Sequence, residues 1–121
     1  VDFVAAPNLT DAAWERWEIQ GRPVRVETAA EVIAKKMYHR GDRATARDLF
    51  DLSMVVEREP EALAAATPFL MRLRDRFLEQ IGQPGAGFVA TFEAIAATGY
   101  QPSLEHCVEV ATAYLSALKE R

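Results

Sequence analysis

Residues 34–52 read AKKMYHRGDRATARDLFDL, and this stretch decides the fold. Its spacing predicts two helices meeting across Gly41. At about 100° per residue, Ala29, Val32, Ile33, Lys36 and Met37 fall within one arc. Glu31, Lys35 and Tyr38 lie opposite. In the following helix Asp48 shares its arc with Leu52 and Val55, and Asp51 stands at the edge of that arc. Each helix therefore puts a charge into an otherwise apolar face. An unpaired buried ammonium is costly, so Lys36 must either snorkel to water or meet an anion.

Working outward, the first helix has an N-terminal signal in Thr28-Ala29-Ala30-Glu31. This has the form of a capping box, in which the Thr hydroxyl and the Glu carboxylate each satisfy an orphan backbone N–H. The helix runs to about Arg40 and stops at Gly41, read as a C-cap glycine. The second helix is expected from near Thr45 to before Pro60, with Asp48 placed three residues on, where it can help to cap. Further helical segments are expected over 61–66, from Pro68 to Gln80, over 88–97, and over 104–119 behind Ser103. Pro60 and Pro68 sit where a proline opens a helix, and residues 83–87 (QPGAG) form a loop.

Upstream the period changes from helical to alternating. Trp17, Ile19, Val24 and Val26 alternate with polar residues around Gln20-Gly21-Arg22, which predicts a β-hairpin with Gly21 in the turn. Pro23 assigns its strand to an edge. Residues 1–4 (VDFV) read as a short strand ended by Pro7-Asn8. Asn8, Thr10 and Asp11 are candidate caps for a short helical turn through 12–13. The fold class expected is mainly α: a bundle of five to six helices preceded by a short strand and a hairpin.

The totals bound what this can be. With 121 residues, 50% of them hydrophobic and 26% charged, the chain has the material for one real core rather than a disordered segment. The formal net charge of -4 removes the usual electrostatic argument for nucleic-acid binding, so any phosphate site must rest on local Lys and Arg. Cys107, the single cysteine, allows no internal disulfide and no Cys-rich zinc site. That fits a reducing interior, and the cytoplasm is the expected location. No apolar run reaches the roughly 20 residues of a membrane helix, so no membrane partner is expected. The chain starts at Val1 within a strand-like segment, which suggests a piece of a longer protein.

Two explanations fit the inward charges. Lys36 with Asp48 or Asp51 can be an interhelical ion pair that fixes register, with Arg47 a surface residue. Alternatively, Lys36 is a phosphate-contacting lysine held in position by aspartates. Other residues suggest only packing or solvation. His39 and His106 do not make a metal site. Phe69, Leu70, Leu73, Phe77, Phe88, Phe92 and Ile95 recur at helical spacing as core. Arg72, Arg74 and Arg76, interleaved with Asp75 and Glu79, read as a solvated face.

Lys36 followed by Arg47-Asp48-Leu49-Phe50-Asp51-Leu52 resembles the lysine and RDLFDL signature of the AbiEii/AbiGii toxin family. The resemblance is strong over about 25 residues and general elsewhere. It implies a nucleotidyltransferase with a polymerase-β-like α+β core. Residues 1–27 would then be the terminal strand and hairpin left from that core, truncated, and residues 28–121 a helical C-terminal domain. It also implies that Lys36 lies next to the triphosphate, with Arg47 as a further nucleotide-binding residue and Asp48 and Asp51 as the aspartates of the motif. By position, Asp2 resembles a third core carboxylate; its other reading is an exposed residue near a terminus.

Mg²⁺ and a nucleoside triphosphate are the cofactor and substrate implied for the intact parent. An RNA acceptor and an antitoxin protein are the implied partners. The departure is that no Gly-Ser turn and no Asp-x-Asp pair occur in these residues. No cofactor and no metal ligand set are therefore expected in this piece, and it should be inactive by itself. The rival expectation is a non-catalytic helical protein-interaction module.

Overall fold

Two consecutive residues in the left-handed region, Gln20 at φ 53° and Gly21 at φ 76°, make the turn of the hairpin. That geometry matches the right-handed twist of the strands it joins. Strands β1 (Trp14–Ile19) and β2 (Arg22–Glu27) pair antiparallel, with Trp17 opposite Val24 and Glu15 opposite Val26. The register puts Trp17, Ile19 and Val26 on one face, as the alternation predicts. This face does not join the main core: Trp17 remains 51% exposed, and all of β1 lies at the surface. The computed structural model describes residues 9–10, 13–95 and 99–118, without the side chains of Val24 and Arg25. The strand expected over residues 1–4 lies outside these, as do residues 11–12 of the expected turn.

Seven helices follow among the described residues, rather than five or six. They are α1 (Ala29–Arg40), α2 (Ala46–Arg58), α3 (Pro60–Ala64), α4 (Thr67–Met71), α5 (Arg74–Gly82), α6 (Ala86–Glu93) and α7 (Leu104–Ser116). The chain is mainly helical, and α2 is its centre, packing against α1, α3, α6 and α7. Leu49, Leu52 and Val55 of α2 join Ile33 and Met37 of α1, Leu70, Phe77 and Leu115 in one core.

The extra helix arises where one long helix was expected from Pro68 to Gln80. The backbone breaks at Arg72 and Leu73, between α4 and α5. Gly41 packs against this break. Its backbone is right-handed (φ -62°), so it is not a left-handed cap. A Cβ there would stand 2.9 Å from Leu73 Cβ and 2.7 Å from the Met37 carbonyl oxygen. The glycine allows Leu73 to close on the end of α1, a tertiary requirement that local sequence does not carry.

The arginines expected on a solvated face are partly caps. Arg72 donates to the Tyr38 carbonyl and lies over the Tyr38 ring, 4.8 Å from its centroid. Arg74 donates to the Leu115 and Leu118 carbonyls at 3.2 and 3.0 Å, closing the end of α7. Arg76 alone of the three is exposed without such a bond among those described.

Two polar devices hold the helices in place. Ser53 Oγ and Tyr100 Oη lie 2.8 Å apart; Tyr100 donates to Glu57 Oε1 (2.7 Å), and His106 Nε2 lies 3.0 Å from the same atom. This chain links α2 to α7, and burial pushes the Tyr100 hydroxyl well above its ordinary pKa. Gln80 of α5 accepts from Ala44 N–H and donates to the Asp42 carbonyl, fastening the loop between α1 and α2. No described helix is long and apolar enough to cross a membrane.

Glu31 departs most from its expected role. Helical spacing puts it on the polar side of α1, as half of a capping box. Instead it is fully buried. Thr28 still accepts from Glu31 N–H, but the Thr28 N–H donates to the Ala13 carbonyl at 2.9 Å. The Glu31 carboxylate accepts from Leu9 N–H (2.9 Å), Thr10 N–H (2.9 Å) and the Thr10 hydroxyl (2.7 Å). Lys35 lies beside it and also pairs with Glu27 of β2. Thr10 is thus a donor to α1; the turn it is expected to cap runs through residue 12, outside the described residues.

Burial by itself would raise the Glu31 pKa. The bonds from Thr10 and Leu9, with the Lys35 charge, outweigh that and hold it below the usual value. A depressed carboxylate contributes stability that is present above its unfolded pKa and is lost as pH falls through the folded one. We therefore expect the melting temperature to fall on acidification from about pH 5 to pH 3. Glu31→Gln should lower stability by about 2 kcal/mol at neutral pH and flatten that acid limb. Thermal melts that decline equally in both proteins would refute the assignment.

Candidate functional site

The residues singled out on α1 and α2 come together. Lys36 Nζ lies 2.8 Å from Asp51 Oδ2 and 3.4 Å from Asp48 Oδ1. Arg47 Nε reaches Asp51 Oδ1 at 3.1 Å, and its guanidinium lies 5.4 Å from the Phe50 ring centroid. Asp2 lies outside the described residues.

Local sequence explains why these side chains are aimed as they are. Thr45 opens α2 with a full capping box: its hydroxyl accepts from Asp48 N–H (3.1 Å), and Asp48 Oδ2 accepts from Thr45 N–H (3.2 Å). The box ties one Asp48 oxygen to the backbone and turns the other, Oδ1, toward α1. A carboxylate in the first turn also suits the helix dipole. Asp51 follows three residues later on the same side of α2, so both acids look at one stripe of α1.

Lys36 sits at the border of the buried face of α1 rather than within it. The buried residues there are Ala30, Glu31, Ile33, Ala34 and Met37, so the buried arc is turned from the expected one toward α4 and the Leu9-Thr10 segment. The Lys36 side chain keeps 22% of its surface, against 5% for Asp48. The side chain is therefore partly open to water, and its ammonium is held by two carboxylates.

One member of the cluster was not singled out in the sequence. Arg40 donates from Nη2 to Asp48 Oδ1 at 2.7 Å, the same oxygen that Lys36 approaches. A signal for it exists: Arg40 is four residues from Lys36, about 40° round the helix, so both point the same way. Lys35, one residue before Lys36, points elsewhere and meets Glu27 and Glu31. Three cations thus face two carboxylates, one positive charge in excess, in a chain whose formal net charge is -4.

The arrangement suits anion binding better than metal binding. Every Asp48 and Asp51 oxygen already accepts from a cation or a backbone N–H. Among the described residues no group of three or more His, Cys, Asp or Glu could hold a metal ion. The described carboxylates of this cluster therefore do not fit a Mg²⁺ site. His39 is exposed, and His106 is committed to Glu57. Cys107 is buried, and that burial raises its thiol pKa.

The cluster is thus a half-buried lysine held between two helices by paired acids, with two arginines at its rim. The family model for the nucleotidyl transferase AbiEii toxin, of type IV toxin–antitoxin systems, matches residues 3–120, and the chain belongs to that family. Neither a curated protein nor a solved structure gives a match.

Burial ranks two members of the cluster, Asp48 at 5% exposed and Arg47 at 57%. Asp48→Ala removes the capping box and a largely buried pair, and should cost about 2 kcal/mol. Arg47→Ala removes an exposed i,i+4 contact and should cost about 0.5 kcal/mol. Urea unfolding measures both, and equal midpoints for the two variants would contradict the ranking.

Proposed function

We propose that this chain is the C-terminal helical part of a nucleotidyltransferase-like toxin, and that Lys36 contacts the phosphates of the nucleotide it transfers. In this reading residues 28–121 are the helical domain. Residues 1–27 are the end of a polymerase-β-like core whose Gly-Ser turn and Asp-x-Asp pair lie outside this chain. The isolated piece is then inactive, and Asp2 is a third carboxylate of that core. The intact protein transfers a nucleotide from a nucleoside triphosphate to an RNA or protein acceptor, with Mg²⁺ held by the core, and an antitoxin protein is its partner.

One observation carries the reading: Lys36 Nζ lies 2.8 and 3.4 Å from two α2 carboxylates and is still partly open to water. Two acids orient the ammonium without enclosing it. Such a preorganised cation is worth most where negative charge develops. When an acceptor hydroxyl attacks phosphorus and the diphosphate leaves, Lys36 would meet the charge on the phosphate oxygens. Arg47 would add a forked donor beside it, stiffened by Phe50. Asp48 and Asp51 are positioning residues for these cations.

The test is nucleotide transfer by the full-length protein from a labelled triphosphate. Lys36→Ala should lower transfer by about a hundredfold or more while circular dichroism keeps the wild-type helical signature and unfolding stays above the assay temperature. Normal turnover in that variant removes Lys36 from the site.

A second reading, a non-catalytic interaction module that binds an antitoxin, is favoured by the exposed Trp14, Trp17 and Ile19 of the hairpin. It gains ground if Trp17→Ser abolishes antitoxin binding and Lys36→Ala leaves transfer unaltered.

A further inference from the structure

We propose that Arg40 is a second phosphate-binding side chain of this site, forming with Lys36 a two-cation clamp for a compact polyphosphate. The inference rests on the phosphate reading of Lys36 given above, and it adds a residue outside the RDLFDL stretch.

Arg40 and Lys36 lie four residues apart on α1 and converge on a single atom, Asp48 Oδ1, at 2.7 and 3.4 Å. Like charges at this spacing repel each other. Asp48 cannot divide itself between them, because its other oxygen is held by the Thr45 N–H. Asp51 gives no relief to Arg40, since its two oxygens serve Lys36 and Arg47. The excess positive charge is therefore built in at one place.

It is also local. Lys35 nearby is balanced by Glu27 and Glu31, and Arg43 by Asp42. The Arg40 side chain keeps 45% of its surface, and the one bond described for its guanidinium is from Nη2, so the side chain is partly open to a ligand. An arginine fork suits the paired oxygens of a phosphate, and the adjacent ammonium suits the next phosphate as a point charge. Two cations gathered on one oxygen select a polyanion whose charges are closely spaced over an extended single strand.

The chain itself is titrated with inorganic tripolyphosphate, followed by NMR shifts of the α1 and α2 amides and by calorimetry. Arg40→Gln should weaken binding about tenfold, Lys36→Gln at least as much, and Arg40→Lys should recover part of the loss. Arg43→Gln, on an arginine outside the cluster, should bind like wild type. Lower thermal stability in Arg40→Gln with unchanged affinity would make Arg40 a partner of Asp48 alone and overturn the proposal, leaving the Lys36 reading in place. If Lys36→Gln also binds normally, or wild type gives no shifts in α1, both readings fall. Tighter Arg40-dependent binding of a 5′-hydroxyl RNA oligonucleotide than of tripolyphosphate would overturn the polyphosphate assignment.

Discussion

The ammonium of Lys36 stands between two carboxylates of α2, and the geometry of the site follows from that contact. A cation at the border of an apolar helix face has to be satisfied, and the two acids do so from one side only. The constraint then passes to α2. Asp48 can face α1 because the box with Thr45 fixes its carboxylate, and Asp51 because it lies one turn further along the same stripe. Register between the first two long helices and the direction of the lysine are thus set by one group of charges.

The rest of the molecule holds that arrangement rigid. Gln80 of α5 grips the loop that joins α1 to α2, and Leu73 closes on Gly41 at the end of α1. On the far side α2 is tied to α7 through Ser53, Tyr100, Glu57 and His106. The buried Glu31 binds the backbone at Leu9 and Thr10 to α1, so the segment leading into the hairpin is fastened to the helix that carries Lys36. A side chain that must meet a developing charge gains from such support, because its orientation is settled before the ligand arrives. The same contacts serve an interaction module equally well as a rigid frame, and membership of the nucleotidyl transferase toxin family weighs toward the first use.

Charge distribution carries a related lesson. The chain is acidic overall, which argues against a broad basic surface for nucleic acid. The cations that matter are gathered at one point by the carboxylates they exceed. Net charge describes the average field, whereas a binding site depends on the balance within a few ångströms.

The hairpin, its turn, the caps at Thr28, Thr45 and Ser103, and the pairing of Lys36 with Asp48 and Asp51 were all legible in the sequence. Each depends on neighbours within a few residues or on helical period, and these act through local backbone geometry. Arg40 was legible in principle, through its four-residue spacing from Lys36, but nothing local ranks it above Arg43; only the position of Asp48 separates them. Glu31 was misread because a capping box and a buried clamp begin with the same residues, and the choice depends on whether a distant segment supplies donors. The break between α4 and α5 and the capping roles of Arg72 and Arg74 were likewise decided by what packs opposite them. Long-range partners win wherever several local arrangements lie within a few kcal/mol of one another, and tertiary structure alone brings those partners into reach.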